Sequence, residues 1–306
     1  MKKSFLILFL LASFSIKAQD DTIKNIITEA TENSHLEILA HELLDIVGPR
    51  LTGTPQMRNA HDWAVQRYAD WGINAKIHEW GEWNGWERGI THIDMISPRV
   101  RTLSGIQLGY SPSTSLKGIT GELDVIPEVK NKDEFNTWLK TVKGKFILSS
   151  MYQITGRPDY NWEEYATPES FKKMKETRSE ATRKWNSNFR KMGINRRQIS
   201  KILEDAGAIG LLSSNWAGGF GANRIFSTGT KTIPHLDIEL EDYSMLYRMV
   251  ESGSGPEIRV VSTSKDLGIV PTFNTLAEIK GVEKPDEYVI SVSYTHLRAH
   301  ETDSYL

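Results

Sequence analysis

Residues 199–212, ISKILEDAGAIGLL, decide the fold class. Ile199 to Ala206 reads as a helix, and Ala208 to Leu212 as a short apolar run of strand length fed directly by it. Helix and strand in such close succession predict an α/β chain. Downstream, Tyr243, Leu246 and Val250 share one face of another helix, with Glu241 and Asp242 near its start, where the helix dipole favours acids. Gly253 to Pro256 ends it. Upstream, Ile119, Leu123 and Val125 alternate with polar neighbours, and Lys145 to Leu148 reads as a short buried strand after the Lys143-Gly144 turn.

Nearer the N-terminus, Ser34 and Glu37 have capping-box spacing before the apolar stripe Leu36, Leu39, Leu43 and Val47, which Gly48-Pro49 stops. Thr54-Pro55 opens a second helix carrying Met57, Ala60, Ala64, Tyr68 and Trp71 on one face, ended by Gly72. Ala75 and Ile77 then alternate as a strand, Gly81 to Gly89 reads as turn-rich, and Ile93 to Ile96 as a further apolar run. The charged stretch from Trp162 to Arg197 predicts an exposed helical excursion, with disorder as its rival. After a polar link from Ser262 to Asp266, Asn274 to Lys280 and Tyr288 to Ile290 read as two strands around Lys284-Pro285-Asp286. This layout predicts an α/β unit over 20–116, an inserted β-rich module over 117–262, and the unit resuming over 263–291.

The chain has 306 residues, 39% hydrophobic and 25% charged, which suits a globular protein of about two domains. Its 37 basic and 39 acidic residues give a formal charge of -2, which points to neither nucleic acid nor an anionic membrane as partner. The absence of cysteine excludes disulfides, thiolate metal sites and a cysteine nucleophile. Lys2 and Lys3, the apolar run Phe5 to Ile16 and the small residue Ala18 predict a signal peptide over 1–19 and a periplasmic or secreted location. An uncleaved anchor is the alternative, which the shortness of the run and the polar Gln19 to Thr22 disfavour, so no stable membrane insertion is expected after cleavage.

Four stretches in order resemble the zinc exopeptidase family of carboxypeptidase Q. They are Gly48-Pro49-Arg50-Leu51-Thr52-Gly53, Trp86-Glu87-Arg88-Gly89, Gly118-Ile119-Thr120-Gly121-Glu122, and Phe273 through Gly281 (FNTLAEIKG). Ile233-Pro234 to Met249 also looks like the family's exit from an inserted protease-associated domain. The resemblance implies a doubly wound α/β zinc-exopeptidase domain, of which this chain holds the N-terminal part, interrupted by a β-rich protease-associated module. It implies a parent enzyme with two zinc ions held by His, Asp and Glu, acting on dipeptides or short peptides, with a homodimer as a possible assembly. In such a site the metals polarise the scissile carbonyl and acidify a bridging water, and a Glu moves the proton.

The family's first zinc ligand follows the strand matched by Tyr288 to Ile290, in a His-any-Asp pattern at the carboxyl edge of the sheet. Here the residue two after His296 is Arg298, a cation and the wrong charge beside zinc. Residues 292–306 (VSYTHLRAHETDSYL) resemble a translated sequencing-adapter peptide, so they are expected to be non-native. His296 and His300, with Glu301 or Asp303, form the rival metal reading at i, i+4 spacing, although Leu297 stands where the metalloprotease motif has Glu. The expectation is therefore that this chain contains no catalytic residue and no metal ligand, binds no zinc, and leaves its substrate-binding residues unassigned.

Other candidates are weaker. Trp80, Trp83 and Trp86 fit either a stacking platform or tryptophans packed at a turn, the second being favoured. Gly218-Gly219-Phe220-Gly221 lacks phosphate-loop spacing, and Ser213-Ser214 lacks nucleophile-elbow glycines. His41, His61, His78, His92 and His235 show no ligand spacing. Arg50 and Arg88 suit a substrate carboxylate or a structural ion pair equally. Two functions follow: a fragment of a peptidase, or a non-catalytic exported protein that binds peptides or partners through the protease-associated module.

Overall fold

Leu211 and its neighbour Leu212 are both fully buried yet pack into different cores, so the strand that carries them is covered on both faces. The computed structural model describes residues 21–221 and 223–291. Its elements run α1 (21–32), α2 (Leu36–Ala40), α3 (Pro55–Asp70), β1 (Asn74–Ser97), β2 (Arg101–Thr102), β3 (Gly105–Gln107), β4 (Ile119–Val125), α4 (Lys132–Leu139) and β5 (Phe146–Leu148). They continue α5 (Asp159–Tyr165), α6 (Pro168–Met192), α7 (Ile199–Asp205), β6 (Gly210–Ser213), β7 (His235–Ile238), α8 (Leu240–Glu251) and β8 (Glu257–Glu278). Helix α2 passes without a break into wider π-helical turns over His41–Val47.

Two compact units divide the described residues: 21–52, 56–82 and 271–291 form one, 53–55, 83–221 and 223–270 the other. In the larger unit the strand order is β2-β1-β8-β4-β5-β6-β7-β3, and β4 through β7 are parallel. Phe146, Leu148 and Leu212 face the core that contains Tyr243 and Leu246 of α8. Ile147 and Leu211 face the opposite core, with Phe135 of α4, Phe189 and Met192 of α6, and Leu203 of α7. Each fully buried Leu, Ile, Met or Phe among them contributes about 1.5–3 kcal/mol on burial. This is the expected α/β class. In the smaller unit, Glu42 accepts hydrogen bonds from Trp63 Nε1 at 2.8 Å and Arg67 Nη2 at 2.6 Å, fixing α3 against the π-helical turns.

Local chemistry sets the helix ends. Asn131 Oδ1 accepts from Asp133 N and Glu134 N, both at 3.0 Å, and caps α4. Thr167 caps α6 with Pro168 at its first position, and Gly193 ends it at a φ of 70°. The capping box expected at Ser34 does not form. The helix starts at Leu36, so Ser34 Oγ accepts instead from Leu36 N at 3.3 Å.

Three strand expectations need correction. Gly81 to Gly89 is no turn; β1 passes through it unbroken. Its glycines mark where β1 lies against β8: a Cβ on Gly85 would sit 2.6 Å from Val270 Cγ1, and one on Gly89 would sit 2.7 Å from Thr263 O. Ser262 to Asp266 is no link but part of β8, with Ser262 fully buried. Tyr288 to Ile290 lie outside any strand, 76–100% exposed, because no neighbouring strand pairs with them among the described residues. The range 117–262, expected to be β-rich, carries α4 to α8 beside short strands, since the charged segment turns Met174, Phe189 and Met192 inward at helical spacing. The signal peptide (1–19) and the tail (292–306) lie outside the described residues.

Candidate functional site

Open parallel sheets present loops and helix starts at the carboxyl ends of their strands, where α/β proteins place ligands. At that edge of the larger unit β5 runs into Ser149-Ser150, and β6 ends at Ser213 and leads into Ser214-Asn215. Asp237 of β7 is only 1% exposed and lies beside Ser213 in the register. Its carboxylate accepts from Ser213 Oγ at 2.9 Å, from Asn215 N at 3.0 Å, from the Asn215 side-chain amide, and from Asn223 Nδ2 at 2.6 Å. Burial pushes the Asp237 carboxyl above its usual range, and these donors pull it part of the way back. The cluster ties Asn215 and Asn223, on either side of a glycine-rich loop, to the sheet.

That loop reaches the helices. Trp216 donates Nε1 to Gly219 O at 2.6 Å, the Arg178 guanidinium lies 4.9 Å from the Trp216 ring, and Phe220 meets Tyr160 edge-on. Arg178, from α6, also pairs with Asp159 at the start of α5 and donates to Thr155 O at 3.0 Å and Arg157 O at 2.6 Å. Between α5, α6 and residues 154–155 lies a cavity of about 410 Å³, walled by Ile154, Thr155, Trp162, Lys173, Met174 and Arg178, with Ser170 and Thr177 completing its lining. Of these residues the sequence drew attention as site candidates only to Ser213-Ser214 and Gly218 to Gly221, and not in these roles. A lone acid in the apolar run His235–Ile238 was the available signal for Asp237.

Trp80 and Trp83 are half-exposed while Trp86 is buried and donates Nε1 to Ser111 O at 3.1 Å, so the three do not form one platform. Arg88 lies 5.3 Å from the Trp86 ring, and its burial lowers its pKa. Arg50 donates to Leu43 O and Gly48 O, both at 2.9 Å, and braces the end of the π-helical turns. Ser213 serves Asp237, and Ser214 Oγ is buried with no partner among the described residues.

His78 and His92 are exposed, and His41 bonds Asp45 at 2.8 Å on the surface. His61 bonds Thr275 Oγ1 at 2.9 Å, and burial and the neighbouring Arg58 lower its pKa. His235 is buried beside Thr228 Oγ1 at 3.3 Å, and burial lowers its pKa to about 4. A zinc site needs several such donors convergent on one point. Among the described residues no three of His, Cys, Asp and Glu converge in that way, so these residues do not fit a zinc centre. No described helix is long and apolar enough to cross a membrane.

No family model matches the chain. It is 25% identical over 279 residues to carboxypeptidase Q of Pongo abelii, covering 90% of this chain and 52% of that protein. It is 26% identical over 249 residues to carboxypeptidase Q of Homo sapiens, covering 81% and 46%. The chain therefore spans about half the length of the curated relatives it matches. Its fold is similar to that of a peptidase M28 precursor from Shewanella amazonensis, with a TM-score of 0.56 at 18% identity over 88% of this chain and 55% of that one.

Proposed function

We propose that this chain, a sequence relative of the zinc exopeptidase family of carboxypeptidase Q, is the N-terminal part of an exported di-zinc metallo-exopeptidase that hydrolyses dipeptides or short peptides. The observation that carries the reading is identity of 25% sustained over 90% of the chain to a carboxypeptidase Q. In this reading residues 117–262 are the protease-associated insertion, and the flanking residues belong to the catalytic domain. The described residues hold no zinc-binding cluster, so they are given roles in scaffolding and recognition and none in the chemical step. Export rests on Lys2-Lys3 and the apolar run Phe5 to Ile16. Sequencing the mature N-terminus tests it: a start near Gln19 or Asp20 supports export, and an intact Met1 refutes it.

The deciding experiment is a long read across the coding locus. A His-any-Asp codon pattern soon after Ile290, in place of the codons for Tyr294 to Leu306, supports the peptidase. Independent clones that encode Tyr294 to Leu306 and then stop would overturn it. They would leave the second reading, a non-catalytic exported peptide- or partner-binding protein, which the cavity between α5 and α6 favours.

A further inference from the structure

We propose that the cavity between α5, α6 and residues 154–155 binds a small molecule with an apolar body and a single carboxylate, the carboxylate paired with Lys173. Its volume of about 410 Å³ lies within the range of ligand sites, roughly 300–1,000 Å³. Ile154, Met174 and the Trp162 ring supply an apolar wall, which suits a hydrocarbon or side-chain body.

The polar groups of the lining point to the sign of the ligand. No acid lines the cavity, and two cations do, Lys173 and Arg178. Arg178 is already compensated by Asp159, whereas Lys173 forms no ion pair among the described residues. One uncompensated positive charge matches one carboxylate better than a phosphate or a dicarboxylate. The hydroxyls agree. Thr155 Oγ1 accepts from Arg157 N at 3.2 Å, and Ser170 Oγ accepts from Thr167 Oγ1 at 3.1 Å, which leaves both protons free to donate. The Thr177 proton is committed to Lys173 O at 2.7 Å.

Two further donors on lining residues, Trp162 Nε1 and Arg178 Nε, are buried with no acceptor among the described residues. Leaving such a group unsatisfied costs about 1–3 kcal/mol. The uncommitted protons of the lining thus call for an acceptor. A cationic ligand would find no acid in the lining to pair with.

The source of the carboxylate is either a fatty acid or the carboxy-terminus of a peptide, and two probes separate them. Octanoate, N-acetyl-leucine and, as the charge control, octylamine are titrated calorimetrically into the full folded chain. The expected result is saturable binding of one carboxylate per chain, with no binding of octylamine. Tighter octanoate identifies the fatty-acid source, and tighter N-acetyl-leucine the peptide terminus. Lys173→Glu is at an exposed position and should weaken binding about tenfold or more, as loss of a charged hydrogen bond does. Ile154→Trp, also at an exposed position, should fill the mouth and abolish binding. The proposal fails if neither carboxylate saturates a chain that melts cooperatively. It also fails if octylamine binds equally, or if both variants bind like wild type. The readout uses no zinc and no peptide hydrolysis, so failure here leaves the peptidase reading standing.

Discussion

Asn223 donates its side-chain amide to Asp237 Oδ1 at 2.6 Å and to Ile238 O at 2.8 Å, fastening the return of the glycine-rich loop to the buried β7 strand. Asp237→Asn would turn one acceptor into a donor among groups that only donate to it. The expected loss is about 1–3 kcal/mol of stability, with faster proteolytic cleavage within 215–221. Chemical denaturation and limited proteolysis read both, and unchanged values would show that the carboxylate does not hold the loop.

His235 gives the fold a pH dependence of defined sign. Its folded pKa is depressed from 6.5 to about 4 by burial, so the unfolded chain takes up the proton first. Stability from this residue is complete above pH 6.5 and falls as the pH drops toward 4. The full difference is on the order of 3 kcal/mol. His61, shifted in the same direction, adds to the trend. His235→Gln should flatten the curve between pH 6.5 and 4 relative to wild type; parallel curves would refute the assignment. Taking the difference between the two proteins cancels the opposite trend expected from Asp237.

The two long strands set a contrast between two glycines. A Cβ on Gly85 would meet Val270 Cγ1 at 2.6 Å and Leu267 Cβ at 2.9 Å, while one on Gly81 finds its nearest atom, Thr272 Oγ1, at 3.7 Å. Gly85→Ala should therefore destabilise by about 1–3 kcal/mol, and Gly81→Ala should be neutral or slightly stabilising. Thermal melts of the pair check this, and equal effects would refute the close approach of β1 and β8 at Gly85.

Metal content gives a fourth test. The chain as it stands should retain no stoichiometric zinc after dialysis and should not hydrolyse dipeptides, because Arg298 stands where the His-any-Asp pattern needs its acid. Tight zinc binding that His296→Ala abolished would reverse this and make residues 296–303 a metal segment.

Elements with one strong period were readable from the chain alone. The helix carrying Tyr243, Leu246 and Val250, and the succession of α7 and β6, depend on local spacing, and the structure has them where the spacing put them. Strand β1 was misread because Gly81, Gly85 and Gly89 carry a turn signal locally, while their strand role depends on β8, almost two hundred residues away. Tyr288 to Ile290 erred the other way: an apolar β-prone run satisfies the local rule and still has no partner strand among the described residues. The Asp237 cluster and the cavity were out of reach for a related reason. They join Ser213, Asn223 and Asp237, or Ile154, Trp162 and Lys173, at spacings that follow no helical or strand period.

The division of labour between Leu211 and Leu212 limits how this chain can diverge. Consecutive residues of β6 answer to separate cores, one closed by α8 and one by α4, α6 and α7. Changes of side-chain size at either position can be absorbed by neighbours within one core. Loss or gain of a single codon inside β6 would exchange the two sets at once and send Leu211 where Leu212 belongs. Descendants of this gene should therefore vary in length at the 215–221 loop and the α5–α6 junction, and keep the reading of 210–213 free of insertions and deletions.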